Sequence, residues 1–131
     1  MAKRPLRLAV RIPPYRPPRN HWRMLVHEAV SIRQRAAGVV YKETDKLHIQ
    51  LRLYLGKVAI RFHDVDNRLK DIMDALQGRV GGPKRITRLK PIIPNDRQIY
   101  KVEVEKGPAP PQSRGLGHLT IRRYATKRRS R

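Results

Sequence analysis

Leu47-His48-Ile49-Gln50-Leu51-Arg52-Leu53-Tyr54-Leu55 alternates without a miss: leucine or isoleucine at every odd position, a polar or aromatic residue at every even one. Successive side chains of a strand point to opposite faces, so this segment reads as a half-buried strand. Gly56-Lys57 breaks it, and Val58, Ile60 and Phe62 then alternate with Ala59 and Arg61, which predicts a partner strand or an extended approach to Asp64 and Asp66.

On the N-terminal side, Leu6, Leu8, Val10 and Ile12 alternate with Arg7, Ala9 and Arg11, a second half-buried strand. Pro13-Pro14-Tyr15-Arg16-Pro17-Pro18 ends it, because proline cannot donate to a ladder. Asn20 is the expected N-cap of the next helix, whose buried face reads Trp22, Leu25, Val26, Ala29, Arg33 and Ala36. Gly38 supplies the stop.

On the C-terminal side, a helix is expected from Asp66, an acid at the positive end of the helix dipole. Val65, Leu69, Ile72 and Leu76 form its docking stripe, and Gly78 with Gly81-Gly82 ends it. Residues 79–95 read as a basic connection with apolar anchors at Ile86, Leu89, Ile92 and Ile93. Tyr100, Val102 and Val104 alternate with Lys101, Glu103 and Glu105; a Pro/Gly-rich loop comes next, and Leu119, Ile121 and Arg123 mark a short last strand. The order β-α-β-(β)-α-β-β predicts an α+β fold: one domain over residues 1–124, a mixed sheet of four to five strands with two main helices packed on it, then a basic, disordered tail at 125–131.

Charge sets the function classes. The chain carries 31 Lys+Arg against 10 Asp+Glu, a formal net charge of +21. Such a surface repels itself without a polyanion, and neutralising phosphates releases counterions, so nucleic acid is the expected partner. A membrane surface competes poorly, because the basic residues are not gathered on one amphipathic helix. The longest apolar runs are a few residues, which excludes a transmembrane helix, and no signal-peptide core is present, so a soluble intracellular protein is expected. The absence of cysteine excludes disulfides and thiolate metal sites.

Against this background, half of the ten acids are aspartates in one window: Asp64, Asp66, Asp71, Asp74 and Asp96. Asp64 and Asp66, one residue apart, project to the same side of an extended segment and can approach one hard cation such as magnesium. Asp96 precedes a strand, so the sheet is expected to carry it beside that pair. Three carboxylates with open water positions suit metal-assisted phosphodiester cleavage. Lys70, one helical turn beyond Asp66, shares its face and can reach a phosphate or the attacking water; Asn67 can hydrogen-bond a ligating aspartate. Arg68 and Asn67, with Lys84, Arg85, Arg88 and Lys90 of the connection, are the expected DNA contacts.

Each of these residues also has a plain structural reading. Asp64 and Asp66 suit a cap and a dipole acid, Asp66–Lys70–Asp74 suits a surface ion-pair ladder, and Asp96 suits a turn. Asp71 and Asp74 are expected on the helix surface. Trp22 reads as core, and no two of His21, His27, His48, His63 and His118 share a metal-binding spacing.

At these residues the chain resembles the RusA family of Holliday junction resolvases, small endonucleases of bacteria and their phages. The family pattern is D-x-D-N, a lysine four residues after the second aspartate, a helix carrying D-A-L, then an aspartate within D-[DR]-x-Q ahead of a strand. Here it reads Asp64-Val65-Asp66-Asn67, Lys70, Asp74-Ala75-Leu76 and Asp96-Arg97-Gln98-Ile99, in which the glutamine follows Arg97 directly, one residue sooner than in the pattern. Ile12-Pro13-Pro14, Asn20 and Trp22 also look like the family, and the match spans roughly residues 6–105. The resemblance implies a RusA-like fold and a cytoplasmic, nucleoid-associated homodimer, bacterial or phage-encoded. It implies binding of four-way DNA junctions and nicking of two opposing strands with Mg²⁺, Mn²⁺ substituting, in recombination and repair. It implies Asp64, Asp66 and Asp96 as metal ligands and Lys70 as the catalytic lysine. Two alternatives stay open: a non-enzymatic basic nucleic-acid-binding protein of ribosomal or architectural type, which composition alone favours, and a nuclease for other branched DNA.

Overall fold

The computed structural model describes residues 4–55, 65–80 and 87–125, with position 87 described for its backbone only. The chain is α+β, with one mixed four-stranded sheet and two helices on one face of it. The elements are β1 (Leu8–Ile12), α1 (Arg19–Ala37), β2 (Leu47–Leu55), α2 (Val65–Leu76), β3 (Arg79–Val80), β4 (Thr87–Arg88), a 3₁₀ turn (Asp96–Gln98), β5 (Ile99–Pro108) and β6 (Gly117–Arg123). Sheet order is β1-β6-β2-β5: β6 runs antiparallel to both β1 and β2, while β5 runs parallel to β2.

The alternation in β2 sets the layering. Leu47, Ile49, Leu51, Leu53 and Leu55 are all buried. They join Leu8, Val10 and Ile12 of β1 and Leu119 and Ile121 of β6 to make the covered face of the sheet. Trp22, Val26 and Val30 of α1 and Ile72, Ala75 and Leu76 of α2 close the core from above. Full burial of one such aliphatic side chain stabilises by about 1.5–3 kcal/mol.

Several boundaries differ from the sequence reading. Helix α1 begins at Arg19 with Pro18 at the N-cap and no side-chain cap, so Asn20 is inside the helix. Its buried stripe is Trp22, Val26, His27 and Val30, whereas Leu25 is exposed. The stripe rotates because α1 packs on β1 and on α2 at once. The stops fall as expected: Gly38 takes the left-handed conformation (φ 66°), and the Val39 amide reaches back to the Gln34 carbonyl at 3.2 Å. At the end of α2, Gly78 has φ +77° and a Cβ there would stand 2.2 Å from the Leu89 carbonyl oxygen. No other residue fits that corner.

The connection after α2 is not structureless: β3 and β4 pair antiparallel, Arg79 opposite Arg88 and Val80 opposite Thr87. Strand β5 runs on to Pro108, further than its Tyr100–Val104 alternation indicated. The expected strand at 58–62 and the tail beyond residue 125 lie outside the described residues. Among the described residues, no helix is long and apolar enough to cross a membrane.

Candidate active site

Asp66 lies in the first turn of α2 and is exposed, as are Asn67 and Lys70. Asp66 and Lys70 are four residues apart on one helix, so their side chains rise from the same face, as the spacing predicted. A carboxylate in the first turn is favoured by the helix dipole. Asp64 lies outside the described residues.

Asp96 opens the 3₁₀ turn before β5 and is exposed. The turn is pinned on both sides. Asn95 Oδ1 accepts from the Arg97 amide at 2.9 Å, and the Asn95 amide donates to Gln98 Oε1 at 2.9 Å. Buried Gln98 then donates through Nε2 to the carbonyls of Lys42 and Asp45 at 2.7 and 2.9 Å. Asp96 is thereby presented to solvent beside the start of β2.

The backbone anchors of Asp66 and Asp96 sit toward opposite ends of α2. The Ile92 and Ile93 amides donate to the Leu76 carbonyl, at 2.8 and 3.1 Å, three to four residues before Asp96. Asp66 is ten residues earlier in the helix, about 15 Å along its axis at 1.5 Å per residue. Among the described residues, no three His, Asp or Glu side chains converge closely enough to hold a metal ion.

The largest surprise is Asp71. Expected on the helix surface, its carboxylate is fully buried (0%) between the two helices. Arg19 and Arg23 of α1 donate to its Oδ1 through Nε at 3.0 and 2.9 Å, and Arg68 Nε stands 3.3 Å from its Oδ2. Arg23 Nη2 also lies 3.3 Å from Asp74 Oδ2, so Asp74 is tied to α1 and is not a free surface acid. Arg68, expected to contact DNA, is instead interior: its side chain is 7% exposed and its guanidinium lies 3.5 Å from the centre of the Tyr15 ring. A desolvated cation–π contact of this kind contributes up to about 2 kcal/mol. Tyr15 packs edge-on against Trp22 at 5.2 Å, and Trp22 Nε1 donates to the Pro13 carbonyl at 2.9 Å, so Trp22 is core as expected.

The cause is charge balance. A buried carboxylate is tolerable only when paired, and three guanidiniums surround this one. Nothing in the period of α2 marks it, because Arg19 and Arg23 lie 52 and 48 residues away. The consequence for the site is a sorting of the acids on α2: Asp71 and Asp74 hold the helices together, and Asp66 is the one exposed at the solvent end.

Of the expected DNA contacts, Arg88 and Lys90 are exposed; Lys84 and Arg85 lie outside the described residues. Lys90 is held by its backbone, its carbonyl 2.8 Å from His27 Nε2. On the open face of the sheet, Glu103 Oε1 sits 2.6 Å from His48 Nε2, and that hydrogen bond, with Gln50 and the charge of Lys101 helping, holds the Glu103 carboxyl below its usual range. His118 stacks edge-on against Tyr54 at 5.6 Å. Burial, then the charges of Arg11 and Arg52, lower its pKa.

No protein-family model matches the chain, and no curated protein matches it significantly.

Proposed function

We propose that the chain is a Mg²⁺-dependent, structure-selective DNA endonuclease that resolves Holliday junctions by paired nicks. The observation that carries this is the exposure of Asp66, Asn67 and Lys70 on the first turns of α2, in a chain of net charge +21.

The proposed ion sits at Asp64 and Asp66; Asp96, the third carboxylate of the sequence pattern, is anchored toward the opposite end of α2 and is not brought to Asp66 within this chain. Asp66 is an exposed carboxylate, the oxygen donor a hard divalent ion takes. Bound there, the ion would lower the pKa of a water and neutralise charge on the scissile phosphate. Lys70, one turn from Asp66, would hold a non-bridging phosphate oxygen or orient the attacking water. Asn67 would steady a carboxylate by hydrogen bonding. Arg88 and Lys90 would bind the phosphate backbone, which positions DNA without reading its sequence. Arg68 has no part in this; buried under Tyr15, it supports the helix that carries Asp66.

The test compares a four-way junction, a flap and a linear duplex, each with and without Mg²⁺. Symmetric metal-dependent nicking of the junction, faster than of the other two, is expected. Faster flap cleavage would reassign the substrate to other branched DNA. Binding without cleavage under any metal would leave a non-enzymatic nucleic-acid-binding protein.

A further inference from the structure

The face of the sheet turned away from the helices is polar and cationic. His48 of β2 stands between Lys101 of β5 and Arg122 of β6, and Arg52 stands between Glu105 and His118. Strand β1 adds Arg11, opposite His118. Arg11, Lys46, Lys101 and Arg122 are exposed. Of the described residues there, the carboxylates are Glu103 and Glu105, and each is taken up locally: Glu103 by His48 and Gln50, Glu105 by Arg52. The field that remains is positive, so it repels a second copy of the same face and attracts a polyanion.

Aromatic rings mark both ends of this face. At one end the pairing of β2 with β5 slips between Leu47 and His48, so Tyr100 is an extra residue, bulged out of the ladder. Its ring is 5.5 Å from that of Tyr124, and Lys46 Nζ lies 5.3 Å from its centre. Tyr124 is fixed by its amide, which donates to the Lys46 carbonyl at 2.8 Å. Tyr100 stays 55% exposed and lies outside the core. At the other end Tyr54 meets His118 edge-on at 5.6 Å, with the Arg52 guanidinium 5.5 Å from its ring. Lys46 and Tyr54 are eight residues apart in extended chain, about 26 Å at 3.3 Å per residue, a span of several nucleotides.

We infer that this face binds an unpaired DNA strand, with bases stacked on Tyr100 and Tyr124 at one end and on Tyr54 at the other, and with Lys46, Lys101 and Arg122 on the phosphates between. A groove or face that combines cations for the backbone with aromatic rings for the bases suits a single strand, because every base has a π-face to offer. A duplex offers such a surface its phosphates and not its base faces, which its own stacking covers. Helix α2, which carries Asp66, packs on the opposite face of the sheet, so this surface is separate from the proposed cutting site. The choice of DNA over RNA rests on the nuclease reading; the stacking surface itself does not.

The test is binding of a labelled oligothymidylate of about 12 nucleotides, read by fluorescence anisotropy without Mg²⁺ so that cleavage does not enter. Tyr100→Ala should weaken binding by about 5- to 150-fold, the loss of one base–aromatic stack, with the salt slope unchanged. Tyr100 is exposed, so this variant should keep the native unfolding midpoint. Tyr100→Phe should bind as the native protein does. Tyr54→Leu, which keeps bulk but not the ring, should weaken binding in the same range from the other end. Lys101→Ser combined with Arg122→Ser should instead lower the salt slope, by up to ~0.7 for each phosphate no longer neutralised. Binding of a linear duplex should be the same for Tyr100→Ala and the native protein. The inference is overturned if Tyr100→Ala and Tyr54→Leu bind the oligothymidylate like the native protein, or if Tyr100→Phe is as weak as Tyr100→Ala. It is also overturned if Tyr100→Ala loses duplex and single strand alike. Tighter binding of an oligouridylate of the same length would overturn the choice of DNA.

Discussion

Arg23 of α1 donates through Nε to Asp71 Oδ1 of α2 at 2.9 Å while its Nη2 lies 3.3 Å from Asp74 Oδ2. One guanidinium thus gathers two carboxylates one turn apart and fixes how the two helices lie. The helix so fixed is the one whose first turn presents Asp66.

Removing Asp71 takes the shared buried counter-charge from Arg19, Arg23 and Arg68 and leaves only Asp74, beside Arg23. Breaking a buried ion cluster by deleting one partner costs about 3–5 kcal/mol. Asp71→Ala is therefore expected to lose about that much in urea unfolding, although it removes only a carboxylate far from the proposed chemistry. A loss below about 1 kcal/mol would mean that the arginines re-solvate easily and the cluster does not hold the helices.

Tyr41 is buried and donates its hydroxyl to the Leu6 carbonyl at 2.8 Å. Burial, then the nearby Asp45 charge, raise its pKa well above the tyrosine norm. The neutral phenol is the form the fold holds, so its contribution is complete below about pH 10, the unfolded value, and is lost as pH rises beyond it. Tyr41→Phe should cost about 1–3 kcal/mol at neutral pH, the penalty for leaving a buried acceptor unsatisfied. It should also flatten the alkaline fall of stability, which a melting series from neutral pH to above pH 10 reads directly.

His118 works at the other end of the scale. Its pKa is lowered in the fold, so the folded state favours the neutral ring. Its contribution is whole above about pH 6.5, the unfolded value, and declines as pH falls through the lowered folded value. His118→Gln should make stability less sensitive to pH just below 6.5, measured by urea midpoints at several pH values. An unchanged slope would show that neither burial nor the charges of Arg11 and Arg52 bear on the titration of the ring.

Arg88 and Lys90 are exposed on the segment C-terminal to α2. Replacing both by serine should weaken DNA binding for every sequence alike and reduce the salt slope by up to ~0.9 for each phosphate no longer neutralised. Binding isotherms across a salt series decide it; an unaltered slope places both residues off the DNA path.

Much of the fold was legible because period 2 and period 3.6 are local signals. The β2 alternation, the Gly38 and Gly78 stops and the core role of Trp22 all follow from near neighbours. What escaped was long-range. Asp71 reads as a surface acid until Arg19 and Arg23 are brought to it from another helix. Arg68 reads as a DNA contact until Tyr15 covers it. The rotation of the α1 stripe away from Leu25 and the end of β5 at Pro108 are likewise set by what packs alongside, since an edge strand tolerates Gly107 and Pro108 where a central one would not. Of the candidate site, sequence spacing placed Asp66 and Lys70 on one exposed helix face.

The most direct test of the nuclease account is Asp66→Asn assayed on a synthetic four-way junction with Mg²⁺. Asp66 is exposed, so the substitution should leave the unfolding midpoint nearly unchanged, and junction binding should be retained or tightened because a negative charge is removed. Cleavage should fall below detection. Undiminished cleavage by this variant would contradict the account.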